Sequence, residues 1–208
     1  MLERQGNLFV VSGPSGAGKG SIIKQLIKQR PEIWVSVSAT SREPRQDEVE
    51  AVSYFFKSKD EFRRLIDQRA FLEWAEVFCN YYGTLRQPVL DALKQGTNVI
   101  LEIDIQGALQ IKQMYDEAIF VFILPPSLDE LEKRIKNRGS ETEESLALRL
   151  KTALEEISYI EKYDYFIIND DLAESTRKLD AIITAESAKV ARDVIEMLDS
   201  ADKGFMFG

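Results

Sequence analysis

Residues Gly13, Pro14, Ser15, Gly16, Ala17, Gly18, Lys19, Gly20 and Ser21 form a G-x-x-x-x-G-K element. That spacing suits a phosphate group. Phosphate oxygens need several donors at once: glycines let successive main-chain N–H groups point into one concavity, a helix starting there adds partial positive charge, and Lys19 adds a full one. The element stands between an apolar run, Leu8–Ser12, and a helical pattern starting near Gly20, which separates it from a glycine-rich turn that binds nothing. Gly20 occupies the place after the lysine where a magnesium-coordinating hydroxyl is usual, and Ser21 follows one position later. A magnesium ion bridging phosphates there would be held largely through water, which this ion tolerates. Asp104, at the end of the third parallel-type strand, is the acid best placed to orient such water or an acceptor nucleotide; the other reading is a strand-end cap.

Two further groups of residues have chemistry to offer. Arg42 and Arg45 lie three residues apart in the polar segment Ser38-Ala-Thr-Ser-Arg-Glu-Pro-Arg45, where two guanidinium forks can clamp one phosphate dianion or else face solvent. Arg134, Arg138 and Arg149 bracket a polar stretch, 137–146. It can close as a lid, or its arginines can be helix-surface charges. The sequence has no histidine and one cysteine, Cys79. Ser-His and Cys-His nucleophile pairs, histidine-ligated zinc and an internal disulfide are therefore excluded.

The elements that must position these groups read as alternating strands and helices. Short runs rich in β-branched and aromatic residues mark strands at Leu8–Ser12, Trp34–Ser38, Val99–Ile103, Ile119–Leu124 and Tyr165–Ile168. Several are almost continuously apolar, as strands covered on both faces are. Helical patterns begin near Gly20, Gln106, Leu128 and Leu172. Ser58 with Glu61, Ser127 with Glu130, and Asp171 with Glu174 have the cap-and-N3 spacing of helix starts. The pattern predicts an α/β fold: a mostly parallel sheet wrapped by helices. At about 150 residues per domain, 208 residues make a single domain. Within 1–208 we expect a core of 1–38, 98–136 and 150–199, an inserted α+β lobe at 39–97, a lid at 137–149 and a tail at 200–208.

Twenty-seven Lys and Arg against 35 Asp and Glu give a net charge of −8. That balance argues against a broad nucleic-acid or anionic-membrane footprint, so an anionic ligand is expected to meet a local cationic pocket. No apolar run has the roughly 18 residues of a membrane helix. The N-terminal residues lack the order of a signal peptide, and one cysteine suits a reducing compartment, so the expected location is the cytoplasm.

The lobe also holds Tyr54, Glu73, Tyr82, Gly83 and Thr84, in the contexts Phe71-Leu-Glu-Trp74 and Asn80-Tyr-Tyr-Gly-Thr84. With these, the sequence resembles guanylate kinases. Matching segments, in the family order over about residues 6–190, include Ser12–Gly20, Ser36–Arg45, Phe71–Glu76, Asn80–Thr84, Leu101–Gly107, Ile123–Ser127, Asn137–Ser145 and Ile168–Asp170. The resemblance implies a P-loop kinase fold with a five-stranded parallel core, a lobe for GMP and a small helical lid. It also implies transfer of the γ-phosphoryl group of ATP, with magnesium, to GMP or dGMP. Ser38, Arg42, Arg45, Tyr54, Glu73, Tyr82, Gly83, Thr84 and Asp104 would then surround GMP. Residues 13–21 and Asn169 would hold ATP, while Lys19, Arg42, Arg134, Arg138 and Arg149 would serve the transfer. Guanine offers N1–H and an exocyclic amino group as adjacent donors, a pair one carboxylate such as Glu73 can accept and adenine cannot present. The alternative for Glu73 is a solvated charge on an edge strand.

Five positions depart from the family pattern. Gln46-Asp47 stands where Pro-Gly is frequent, Ala51 where glycine is usual, Ser53 where Asp or His is common, and Cys79 where glycine precedes Asn80. They bear on GMP affinity and loop geometry. A phosphopeptide-binding scaffold module and a P-loop kinase for another monophosphate are the competing readings. The sequence does not distinguish a monomer from a homo-oligomer.

Overall fold

The computed structural model describes residues 5–77, 79–136 and 143–189. Its centre is a five-stranded, all-parallel sheet built from β1 (Leu8–Ser12), β2 (Trp34–Val35), β7 (Val99–Glu102), β8 (Ile119–Leu124) and β9 (Tyr165–Ile168), in the order β2-β7-β1-β8-β9. Every residue of β1 is buried, which explains why its sequence shows no polar alternation. One face packs Phe9, Val11, Val121 and Ile123 against α1 (Lys19–Gln29), through Ile22, Ile23 and Leu26, and against α7 (Leu172–Ser187), through Leu179 and Ile183. The other face packs Leu8, Val10, Leu101 and Phe120 against α3 (Arg86–Lys94) and α4 (Ile105–Met114).

A second sheet has four strands: β3 (Ala39–Thr40), β4 (Phe55–Phe56), β5 (Phe71–Val77) and β6 (Asn80–Leu85), in the order β4-β3-β6-β5. Helix α2 (Lys59–Asp67) closes its small core, with Phe62 stacked 4.4 Å from Phe71 and 5.4 Å from Tyr81. The remaining helices are α5 (Leu128–Lys136) and α6 (Glu143–Ile157). Residues 137–142 of the expected lid lie outside the described residues, as does the expected tail.

All three caps expected at helix starts form. Glu61 N–H donates to Ser58 Oγ at 3.2 Å while Ser58 N–H donates back to Glu61 at 2.8 Å. Glu130 N–H donates to Ser127 Oγ at 3.1 Å and Glu174 N–H to Asp171 Oδ1 at 2.8 Å. Each such cap contributes about 1 kcal/mol. Two strands are shorter than expected: β7 ends at Glu102, one residue before Ile103, and β2 ends at Val35 and not at Ser38. Ser36 N–H still donates to Ile100 O at 3.0 Å, but the Ser38 carbonyl accepts from Phe55 N–H at 2.9 Å. The chain passes from one sheet to the other there, so Ser36 is bonded to the first sheet and Ser38 to the second. Among the described residues no helix is long and apolar enough to cross a membrane.

Candidate active site

A cavity of about 470 Å³ opens between the carboxyl ends of the parallel strands and the second sheet. This is where open α/β sheets bind ligands, because loops leave the strands there and helices point their N-termini inward. Of the residues singled out in the sequence, Gly13, Ser15, Lys19, Ser38, Tyr54, Glu73, Tyr82, Gly83 and Asp104 all line this one cavity. Lys19 and Glu73, one from each sheet's side, share it.

At the phosphate end, the loop between β1 and α1 is held by close backbone packing. Gly13 has φ 143°, and a Cβ there would stand 2.1 Å from the Ile123 carbonyl oxygen. Gly18 caps α1 with φ 93°, and a Cβ would meet Asn169 Nδ2 at 2.2 Å. Both positions thus require glycine on conformation and on space. Asn169 Nδ2 donates to Ala17 O at 2.7 Å, and Arg134 donates to Asn169 O at 3.3 Å and to Glu130 Oε1 at 3.0 Å. Asn169 and Arg134 therefore brace the outside of the loop. The Lys19 ammonium donates to the Gly13 carbonyl and, at 3.4 Å, to that of Pro14. Ser21 is exposed on the first turn of α1.

At the other end, Glu73 on β5 stands opposite Thr84 on β6. It is 4% exposed, and Thr84 Oγ1 donates to its Oε1 at 2.6 Å. This excludes the solvated edge-strand reading. Burial, helped by the negative charge of Asp104, pushes the Glu73 carboxyl up to about 7, against the pull of the Thr84 hydrogen bond. Asp104 faces the cavity, and its Oδ1 accepts the Gly107 N–H at 2.8 Å as the N-cap of α4.

The arginines are placed differently from one another. Arg42 pairs with Glu48 at 2.8 Å and lies 5.5 Å from the centre of the Tyr54 ring, itself packed edge-on against Tyr82 at 6.1 Å. Arg45 is exposed, and its backbone N–H donates to Glu48 Oε2 at 2.8 Å. Both arginines are thus tied to Glu48, and neither lines the cavity. Arg134 and Arg149 stand outside the lining as well, Arg149 half-buried on α6. Arg138 lies outside the described residues.

Two acidic lining residues, Glu102 and Glu156, escaped the sequence reading. Glu102 ends β7 with its carboxylate 3.3 Å from where a Cβ on Gly20 would be. Its signal was a charge terminating an otherwise buried apolar strand. Glu156 reaches in from α6, two helical turns after Arg149 and on the same face. Burial pushes its carboxyl upward, while the Lys19 ammonium and a Ser15 main-chain N–H favour its charged form. The expected cationic pocket therefore needs correction. Among the described residues the lining contains Glu73, Glu102, Asp104 and Glu156 against one cation, Lys19. Glu102 ends its strand where a charge escapes the apolar sheet, while Arg42 and Arg134 remain at the margin in ion pairs with Glu48 and Glu130.

The donor set also bears on magnesium. Among the described residues no three acidic or cysteine side chains converge as a metal-ligating group. One Asp104 oxygen is taken by its cap bond. Glu102, beside Gly20, and Glu156, near Ser15 and Lys19, are carboxylates adjoining the phosphate loop, and a magnesium ion there would be held largely by phosphate oxygens and water.

A sequence model of the guanylate kinase family matches residues 5–186. The guanylate kinase of Clostridium acetobutylicum is 53% identical over 201 residues, covering 97% of this chain and 96% of that protein. That of Caldanaerobacter subterraneus is 52% identical over 192 residues, covering 92% and 93%. The crystal structure of guanylate kinase from Anaplasma phagocytophilum superimposes with a TM-score of 0.80 at 34% identity, covering 96% of this chain and 97% of that one. With a cavity that joins a phosphate loop to a buried carboxylate, and with these matches along nearly its whole length, the chain belongs to the guanylate kinase family.

Proposed function

We propose that this chain, an ATP:GMP phosphotransferase by family, reads its acceptor through Glu73 and holds its donor through the loop 13–21. The observation that carries this reading is the shared cavity: Glu73 and Lys19 line one space of about 470 Å³, large enough for a nucleotide and its phosphates. GMP fits the acceptor side. The Glu73 carboxylate accepts N1–H and the 2-amino group of guanine, and Thr84 fixes one of its oxygens. A pocket whose buried acceptor would go unpaired rejects the wrong base by roughly 10⁴ or more. Ser38, Tyr54, Tyr82 and Gly83 complete that side, with Arg42 and Arg45 at its margin to meet the GMP phosphate. dGMP is expected to serve as well, since a pair that reads the guanine edge does not itself select the sugar.

The nucleophile is the GMP phosphate, anionic at neutral pH, so no histidine base is needed. This chain's residues have to position two polyanions in line and offset the charge between them. Main-chain N–H groups of 13–19 and the Lys19 ammonium hold the donor phosphates. Arg134, Arg138 and Arg149 come from the lid side, and the closing of 137–149 over 39–97 excludes water from the phosphoryl group. Glu102, beside Gly20, and Asp104 are the carboxylates that would hold a magnesium ion through water, and such an ion would supply neutralisation of the phosphate charge. We place this activity in the cytoplasm, where it supplies GDP to purine nucleotide metabolism.

The test is a coupled ADP-release assay with ATP and magnesium, comparing GMP, dGMP, AMP, UMP and TMP as acceptors. Turnover with the two guanine nucleotides alone is the expected result. Equal use of AMP or UMP overturns the assignment of Glu73.

A further inference from the structure

Strand β5 is an edge of the second sheet, paired with β6 on one side only. Its other side meets α4, a helix of the core. There the main chain of Trp74 is bonded twice to one side chain: Trp74 N–H donates to Gln110 Oε1 at 3.2 Å, and Gln110 Nε2 donates to Trp74 O at 2.7 Å. The amide of Gln110 takes the place of the missing neighbouring strand, since an amide carries the same donor and acceptor as a peptide unit. Three residues earlier on the same face of α4, Gly107 is buried. A Cβ added there would stand 2.4 Å from Glu73 Oε2 and 2.9 Å from its Cδ. The turn that accepts this close approach is the one Asp104 caps.

We propose that Gly107 and Gln110 are positioning residues for base recognition: α4 fixes β5 to the core through Gln110, and the bare backbone at Gly107 leaves the space in which the Glu73 carboxylate is aimed at the acceptor base. This rests on Glu73 reading guanine as proposed above. The lobe is then anchored to the core along its β5 side, next to the residue that must be aimed most accurately. The loop 41–53 lies at the opposite end of that sheet's strand order, beyond β3 and β4. A displacement of the carboxylate by an ångström is enough to lose a large part of a paired hydrogen bond, which weakens steeply with geometry.

The two positions act on Glu73 by different routes, which makes the idea testable. Gly107→Ala pushes on the flexible end of a side chain and leaves the backbone where it is, and alanine is the better helix former by about 1 kcal/mol. The chain should fold with an equal or higher Tm. Its KM for GMP should nevertheless rise by about ten-fold or more while its KM for ATP stays within about two-fold. Its preference for GMP over IMP should shrink, because IMP lacks the 2-amino group and has only N1–H to offer the carboxylate. Gln110→Ala should act in the same direction, and Gln110→Glu, which keeps an acceptor for Trp74 N–H, should recover part of the loss. In a Glu73→Gln background, Gly107→Ala should add nothing.

An unchanged GMP KM and GMP-to-IMP ratio in both Gly107→Ala and Gln110→Ala overturns the inference, as do equal losses for GMP and ATP. Glu73→Gln alone separates the two levels. If it leaves GMP use intact, the base-reading role falls and the inference with it. If it damages GMP use while the α4 variants do not, the inference alone falls.

Discussion

The phosphate loop and the acceptor lobe solve the same conformational problem with different residues. In the loop the positive-φ positions are Gly13, Gly16 and Gly18, at 143°, 95° and 93°. Among the described residues of the lobe they are Gly96, at 78°, and three residues that carry side chains, Ala51, Arg69 and Cys79, at 61°, 54° and 61°, where a side chain makes the left-handed region unfavourable by about 1–2 kcal/mol. The loop is seated on the large core under β1 and α1, the lobe on a cluster whose fully buried members are Ala39, Phe62 and Phe71. The donor site is therefore made of main chain in a geometry that few sequences can adopt. The acceptor site is made of side chains on a smaller body that tolerates local strain. Two of the departures from the pattern that the sequence resembles, Ala51 and Cys79, fall on these positive-φ positions.

The sharpest way to break this comparison is Lys19→Met. Turnover should drop by about 10³-fold or more, because a full charge aimed at the transferring group is lost, while GMP affinity measured by calorimetry stays within a few-fold. A parallel collapse of GMP binding would mean that the two ends are not separable. Glu73→Gln comes next: kcat/KM for GMP should fall by about 10² or more with ATP binding preserved.

The same substitution should raise Tm at pH 8. The folded-state pKa of Glu73 lies above the ordinary carboxyl value of 4.5. The destabilisation from the buried charge is therefore absent below that value, grows as pH rises and is complete above about 7. A third effect follows from the same carboxyl, at about 7 in the ligand-free chain. GMP needs the ionised form, so its KM should rise by about ten-fold as pH falls from 8 to 6, with a far smaller change for ATP. The smallest effects compare the backbones directly. Gly18→Ala should destabilise by more than about 1 kcal/mol, whereas Ala51→Gly and Cys79→Gly should leave stability unchanged or raise it by up to about 1 kcal/mol. Thermal melts of the three variants decide whether the contrast is energetic or only geometric.

The legible parts of this chain were those in which chemistry is local. The phosphate loop is written in consecutive residues, the central strands show as unbroken apolar runs, and the caps at Ser58, Ser127 and Asp171 show as fixed spacings. Glu73 was found through its resemblance context, although the alternation around it also suited a solvated charge. Only the approach of α4 decides that it is buried. Glu102 and Glu156 come from segments more than fifty residues apart and meet only because β7 and α6 end on the same cavity. No periodicity records that meeting. The early end of β2 was hidden for a related reason: residues 36–38 have the composition of a strand, but their partners are divided between two sheets.

The acidic wall of the cavity has a consequence for what may enter it. Among the described residues, four carboxyl groups and one ammonium line it, and each carboxyl that is ionised repels a bare polyphosphate by about 1–4 kcal/mol per close pair. A nucleotide accompanied by its counter-ions escapes most of that penalty. The hollow thus works as a charge filter at its own doorway, admitting neutralised salts ahead of naked anions, and the ionic make-up of the surrounding solution becomes one of the settings that govern how quickly it fills.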